Sequence, residues 1–298
     1  MQRVEETDSR GNIFRFKPFN GLKFHPDIPG NIEERLREVD SLALRPDDVL
    51  LCTYPKSGTH WVYNMIHMIR SETLQYRGTP YMIEFFPSSE LQHIDSPRTL
   101  HTHLTYPLIP AMARQGKVKI VQVVRNPKDT ITSFYEHYQQ VGSTVYEGAF
   151  DGFLELALSD EFALFGGNWF SYIRDWEKAK RCNRNLTVFS LQYEEIKQNP
   201  FDIISRLVDF FQLDRSESFL RKVEKAVQFE NLKKEHETEA GENAIWKDAG
   251  NGGRLPIYRK GYVGDWKNYF TVAQNERFDS LYNKKIKKHG VDIHFSYE

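Results

Sequence analysis

Thr53-Tyr54-Pro55-Lys56-Ser57-Gly58-Thr59-His60-Trp61 follows the apolar run Val49–Thr53 and opens a second apolar stretch that reaches Ile69. The run reads as a short buried strand behind the charged Pro46-Asp47-Asp48, and Trp61 to Ile69 reads as a helix apolar on most sides. Strand, glycine-bearing turn and helix start aim free backbone N–H groups and the positive end of a helix dipole at an anion. Gly58 permits close backbone approach, Lys56 adds a point charge on a flexible stem, and Ser57 and Thr59 add hydroxyls. Trp61 offers a flat face on which a purine could stack. The GxxxxGK[ST] pattern of nucleotide-triphosphate loops is absent. Taken alone, the stretch also fits an ordinary strand-to-helix turn.

Around it, Lys117 to Val124 and Leu186 to Leu191 are two further strand-like runs, Arg98 to His103 is a shorter one, and helical patterns separate them. That alternation predicts an α/β fold with a central, mostly parallel sheet flanked by helices. Asn199 fits a helix N-cap, Pro200 the first helical position, and Ile204, Leu207, Val208 and Phe211 one apolar stripe that packs on the sheet. Gly241, Gly250, Gly252 and Gly253 crowd a polar stretch between Glu235 and Pro256, a candidate mobile lid.

Of the 298 residues, 40% are hydrophobic, enough for a sizeable core, and 27% are charged, which argues against disorder. A formal net charge of -1 gives no global attraction to nucleic acid or anionic membranes, so any anion site must be a local cluster. Cys52, in the first strand, and Cys182, in a polar turn, make neither a disulfide framework nor a cysteine zinc site. A reducing, cytoplasmic location is the simplest expectation, with no signal peptide in the acidic start of the chain and no bilayer-length apolar run. Asn185-Leu186-Thr187 reads as a chance sequon at a strand start.

Two more basic segments matter. Arg125, in Val124-Arg125-Asn126-Pro127-Lys128-Asp129, stands at the end of the longest strand, where an open parallel sheet places ligands; a helix begins near Pro127 with Ser133 in its first two turns. Arg259-Lys260-Gly261-Tyr262-Val263-Gly264-Asp265-Trp266-Lys267 sets a basic pair beside flexible glycines. Each alone would read as a solvated surface charge.

Together the three motifs, in this order, resemble the cytosolic sulfotransferase family over roughly Pro18 to the end of the chain. The resemblance implies one α/β domain over residues 13–298 behind a flexible end at 1–12, with a phosphate-loop-like turn that binds 3'-phosphoadenosine 5'-phosphosulfate (PAPS) and releases adenosine 3',5'-bisphosphate (PAP). By that match, Lys56, Ser57, Gly58 and Thr59 hold the 5'-phosphosulfate, with His60 beside them and Trp61 on the adenine face. Arg125, Ser133, Arg259, Lys260 and Gly261 hold the 3'-phosphate, and Tyr193 and Phe229 lie near the adenine. A donor with about four negative charges needs several cationic and N–H partners if it is buried. No metal is implied.

If Leu100-His101-Thr102-His103-Leu104 is extended, both histidines share one face. The resemblance makes His103, after Ser96-Pro97-Arg98, the general base, with Lys56 stabilising the leaving phosphate oxygen and Ser133 pairing with Lys56 before the acceptor binds. Two departures stand out: His101 replaces a lysine of many relatives, and His60 a small hydroxyl residue. From the first we expect a shift of activity with pH where His101 titrates. Phe85 resembles an acceptor-gate phenylalanine, and Phe134, Tyr138 and Tyr146 extend an aromatic wall for a phenol, a steroid-like alcohol or an aryl amine, unless they are core. Lys267 to Glu276 resembles the family's short dimer segment and fits equally the start of a helix with an exposed charge pair. A small-molecule kinase and a non-catalytic nucleotide-binding module remain as alternatives. The first lacks an assigned carboxylate pair for magnesium, and the second would explain His60 and His101.

Overall fold

The computed structural model describes residues 3–78, 80–140, 145–160, 162–239, 257–291, 293 and 295. Three antiparallel strands come first, β1 (Val4–Thr7), β2 (Ile13–Phe19) and β3 (Leu22–Phe24), joined in that order. The central sheet follows, with β4 (Val49–Thr53), β5 (Thr99–Thr102), β6 (Lys119–Val124) and β7 (Thr187–Gln192) arranged 5-4-6-7. All its pairings are parallel, as the strand and helix alternation requires.

Alternation along the strands separates two cores. Leu50 and Cys52 of β4 and Ile120 of β6 face one side, with β2, the helix Trp169–Cys182 and the helix Val272–Lys285. Leu51, Val121 and Val123 face the other, with the helices Thr59–Ser71, Pro200–Phe211 and Glu217–Ala226. The helix at Pro200 forms as its sequence dictates: Asn199 caps it by accepting the Asp202 N–H, and Ile204, Leu207, Val208 and Phe211 are buried. Covering both faces leaves the carboxyl ends of β4, β5 and β6 as the sheet edge open to a ligand.

Two expectations change. Residues 1–12 were expected as a flexible end, yet Val4–Thr7 pairs with β2, and the pairs Glu5–Arg15 at 2.6 Å and Glu6–Lys23 at 2.7 Å flank that pairing. Cys182 is not in a turn but is the exposed last residue of the helix Trp169–Cys182; both cysteines are free. Residues 240–256, which carry most of the expected lid and its four glycines, lie outside the described residues. Among the described residues, no helix is long and apolar enough to cross a membrane.

Candidate active site

The turn after β4 holds Lys56 at φ +67° and Gly58 at φ +97°, and Gly58 caps the helix Thr59–Ser71. That left-handed backbone reverses the chain and leaves the first helical N–H groups without helical partners. Lys56, Gly58, Thr59, His60 and Trp61 line one cavity. Arg125, at the end of β6, and Ser133, on the helix Pro127–Gln140, line it too, as do Tyr193, Phe229, Arg259, Lys260 and Gly261. The three basic segments therefore converge.

Arg125 joins them physically. It donates to the Lys56 carbonyl at 2.8 Å and to the Tyr262 carbonyl at 3.3 Å, with its guanidinium 4.3 Å from the Tyr193 ring centre. Asp129 docks the third segment by accepting the Gly264 N–H at 2.7 Å and the Trp266 N–H at 3.0 Å. Asp265 then holds Arg259 at 2.6 Å and Lys260 at 2.8 Å. Desolvation pushes the Asp265 carboxyl up, but hydrogen bonds from Lys260, Asn268 and Arg259 outweigh it and bring the pKa to about 2. Arg125 Nε and Arg259 Nε and Nη1 are buried with no partner among the described residues. Buried charged donors are rarely left so, and these fit an anion in the shared cavity. Lys56 is half-buried; desolvation, then Arg125 and Arg259, lower its pKa to about 7.

His103 stands just beyond β5, beside this cluster. Its N–H donates to Glu84 Oε1 at 2.8 Å, and its Nδ1 lies 2.7 Å from the Thr53 carbonyl oxygen. A carbonyl only accepts, so the ring proton is on Nδ1 and Nε2 keeps a free lone pair. Desolvation, with Lys56 and His25 nearby, lowers the ring pKa to about 3 against the opposing Thr53 bond. Burial lifts Glu84 to about 7. The arrangement offers a neutral imidazole base next to a cationic, N–H-rich anion cradle.

A family model described as a sulfotransferase domain matches residues 46–290. The chain belongs to the sulfotransferase family. This sulfotransferase is 32% identical to sulfotransferase 1 family member D1 of Mus musculus, over 86% of this chain and 89% of that one. It is 30% identical to sulfotransferase 1C2 of Homo sapiens, over 98% and 99%. Among solved structures it resembles mouse sulfotransferase SULT7A1 complexed with PAP, with TM-score 0.74 and 32% identity over 91% of this chain and 95% of that one. It shares its fold with retinol dehydratase in complex with androsterone and PAP, at TM-score 0.76 and 19% identity over 96% and 92%.

Several expected residues of the sulfotransferase fall elsewhere. Ser57 is fully buried beneath the loop, its hydroxyl without a partner, and is not in the cavity wall. Phe85 is outside the wall too, packing 5.9 Å from the His25 ring, while Phe134, Tyr138 and Tyr146 are core. His101 shares the face of His103 as alternation predicts, with ring centres 4.4 Å apart, and its ring stays neutral because burial, then His103 and His60, hold its pKa well below the ordinary value. The expected titration of His101 near neutrality is therefore corrected: the ring is too dry to charge there. Burial, then His236 and Lys56, does the same to His60, whose Nδ1 is buried and unpartnered. Ser133 makes no hydrogen bond to Lys56 among the described residues; His137 Nδ1 stands 3.5 Å from the ammonium instead.

Sequence reasoning missed His137, Glu84 and Lys197. Lys197 lies over the rings of Trp61 and Phe229, at 5.7 and 6.0 Å, on the wall expected for adenine. For His137 a signal existed: it is four residues after Ser133, on the same helical face. Among the described residues, no group of three or more His, Cys, Asp or Glu is arranged to hold a metal ion.

Proposed function

We propose that the protein transfers the sulfuryl group of PAPS to a hydroxyl or amine of a small acceptor. The observation that carries this reading is the set of unpartnered, buried guanidinium nitrogens of Arg125 and Arg259, facing a cavity shared with Lys56 and His103. Their charge suits the 3'-phosphate, with Ser133, Lys260 and Gly261 beside them. The turn from Lys56 to Thr59 suits the 5'-phosphosulfate, and Trp61, Tyr193 and Phe229 suit the adenine. SULT7A1, a relative at 32% identity, binds PAP, and retinol dehydratase with the same fold binds androsterone alongside it.

When bound, PAPS supplies an activated sulfuryl group with a phosphate oxygen as leaving group. His103 Nε2 accepts the acceptor's O–H or N–H proton as the new bond to sulfur forms. Lys56 stabilises the charge left on the departing phosphate oxygen. Desolvation, then Arg125 and Arg259, lowers the Lys56 pKa, so an anionic donor in the cradle favours its charged ammonium. The donor's negative charge also opposes the low pKa of His103, raising its basicity when it is needed. His101 lines the same wall as a neutral ring. The acceptor is a phenol, an alcohol, a steroid-like alcohol or an aryl amine, and the protein acts in the cytoplasm. Exposed Val272, in the segment Lys267 to Glu276, supports a homodimer there, and Thr271 caps the helix it begins.

The test is transfer from labelled PAPS to a mixed panel of phenols, alcohols, amines and glycans. His103→Ala is expected to keep PAP affinity within about threefold while transfer falls by about a hundredfold or more. Equal transfer rates in the two proteins would remove His103 from the chemistry. Phosphate transfer from ATP with none from PAPS would favour a kinase.

A further inference from the structure

His137 and His103 face the same cavity from different elements, the helix Pro127–Gln140 and the end of β5. The hydrogen-bond network gives them opposite tautomers. An ammonium only donates, so a charged Lys56, 3.5 Å from His137 Nδ1, makes that nitrogen an acceptor and places the His137 proton on Nε2. His103 is reversed, with its proton on Nδ1 toward the Thr53 carbonyl and its Nε2 bare. Burial disfavours the charged form of both rings, so each keeps one donor and one acceptor nitrogen. The cavity is thus offered one ring that accepts a hydrogen bond and one that donates.

Neighbouring groups point the same way. His25 accepts the Asp27 N–H at Nδ1, at 3.2 Å, so its Nε2 also carries a proton. Its ring stacks on Phe165 at 5.8 Å and on Tyr138 at 6.1 Å; Phe165 in turn touches His103 at 5.1 Å, and Tyr138 touches His137 at 5.8 Å. On the cavity wall itself, the buried His101 Nδ1 has no partner among the described residues. A wall built only for an apolar ring would leave such a group unpaired. The polar rings of His101, His103 and His137 on that wall suit oxygen on the acceptor.

Resting on the sulfotransfer reading above, we propose that His137 makes the site selective for acceptors with a second oxygen beside the hydroxyl that is sulfated, as in a vicinal diol or a hydroxy-ketone. His137 Nε2 donates to the second oxygen while His103 Nε2 accepts the reacting O–H. The second contact holds the nucleophilic oxygen against His103 and leaves the bonds made and broken unchanged: oxygen to sulfur forms, sulfur to the phosphate oxygen breaks, and the hydroxyl proton moves to His103.

The experiment compares catechol with phenol, equal rings differing by one neighbouring hydroxyl, in two readouts: equilibrium binding to the PAP-saturated protein, and kcat/KM for transfer from PAPS. The wild type is expected to favour catechol by about tenfold or more in both. His137→Phe should cut that ratio by about tenfold, and His137→Gln, which keeps an N–H donor, should restore most of it. Because a ratio is read, any general effect through Lys56 cancels. Equal binding of the two rings by the wild type overturns the proposal, as does an absence of binding by either. A His137→Phe variant that weakens both acceptors by one common factor overturns it too, reducing His137 to a support for Lys56. Catechol-selective binding with no transfer to any acceptor would sustain the acceptor preference and sink the sulfotransfer reading; transfer to both rings at equal efficiency would do the reverse.

Discussion

Lys56 combines a left-handed backbone, at φ +67°, with an ammonium crowded by Arg125 and Arg259. Desolvation and those charges put its pKa at about 7, so in the free protein the ammonium is charged below neutrality and progressively neutral above it. An anion in the cradle favours the charged form and raises that pKa. Binding of PAP at pH 8 should therefore take up a proton, and binding at pH 6 should take up almost none. Calorimetric titration in buffers of different ionisation enthalpy reads this directly. Lys56→Arg, which cannot deprotonate in this range, should abolish the uptake at pH 8; an equal uptake in that variant would assign the proton to another group. Lys56, Arg125 and His103 were legible in the sequence because each sits in a short motif at the end of a recognisable strand, and Arg259 because it sits in a basic turn beside glycines. His137 and Glu84 were not, because what they do depends on partners 81 and 19 residues away, Lys56 for the first and the His103 N–H for the second. The charge state of His101 was misread for a related reason: sequence gives the residue, and only packing gives its dryness.

At the scale of elements, two glycines set how closely the aromatic wall closes on the anion cradle. A Cβ on Gly58 would stand 2.7 Å from Tyr193 Cδ2, and one on Gly261 2.5 Å from Phe229 Cδ2, both at positive φ. Gly58→Ala should weaken PAP binding by about tenfold or more, because both the turn and the ring of Tyr193 must move. Isothermal titration checks it, and unchanged affinity would show that the ring has room to retreat. The glycine of the loop was legible; that its close neighbour is Tyr193 was not, since 135 residues separate them. Strands of the central sheet were readable within a residue or two from their β-branched runs. The antiparallel unit at the start was overlooked although it carries a signal: Asn20 and Gly21, at φ +49° and +73°, make the two-residue turn between β2 and β3.

For the whole molecule, a net charge of -1 forces the positive field to be local, and the fold makes it so by bringing chain ends of two strands and a distant basic turn together. A buried pair supports the opposite, amino-terminal edge of the sheet. Arg98, fully buried, holds Asp48 just before β4 at 2.7 and 2.5 Å and also donates to the Leu91 carbonyl at 2.8 Å. The convergence of the three segments came from their resemblance to a family rather than from any one motif, and the structure accounts for it through Arg125, which bonds the first and third segments at once. The most direct test of that convergence is a comparison of PAP with adenosine 5'-monophosphate, which lacks the 3'-phosphate, in equilibrium titrations of the wild type, Arg125→Ala and Arg259→Ala. The wild type is expected to prefer PAP by about a hundredfold or more, and each variant to lose most of that preference while binding the monophosphate nearly as before. Equal affinity of the wild type for the two nucleotides would contradict the account.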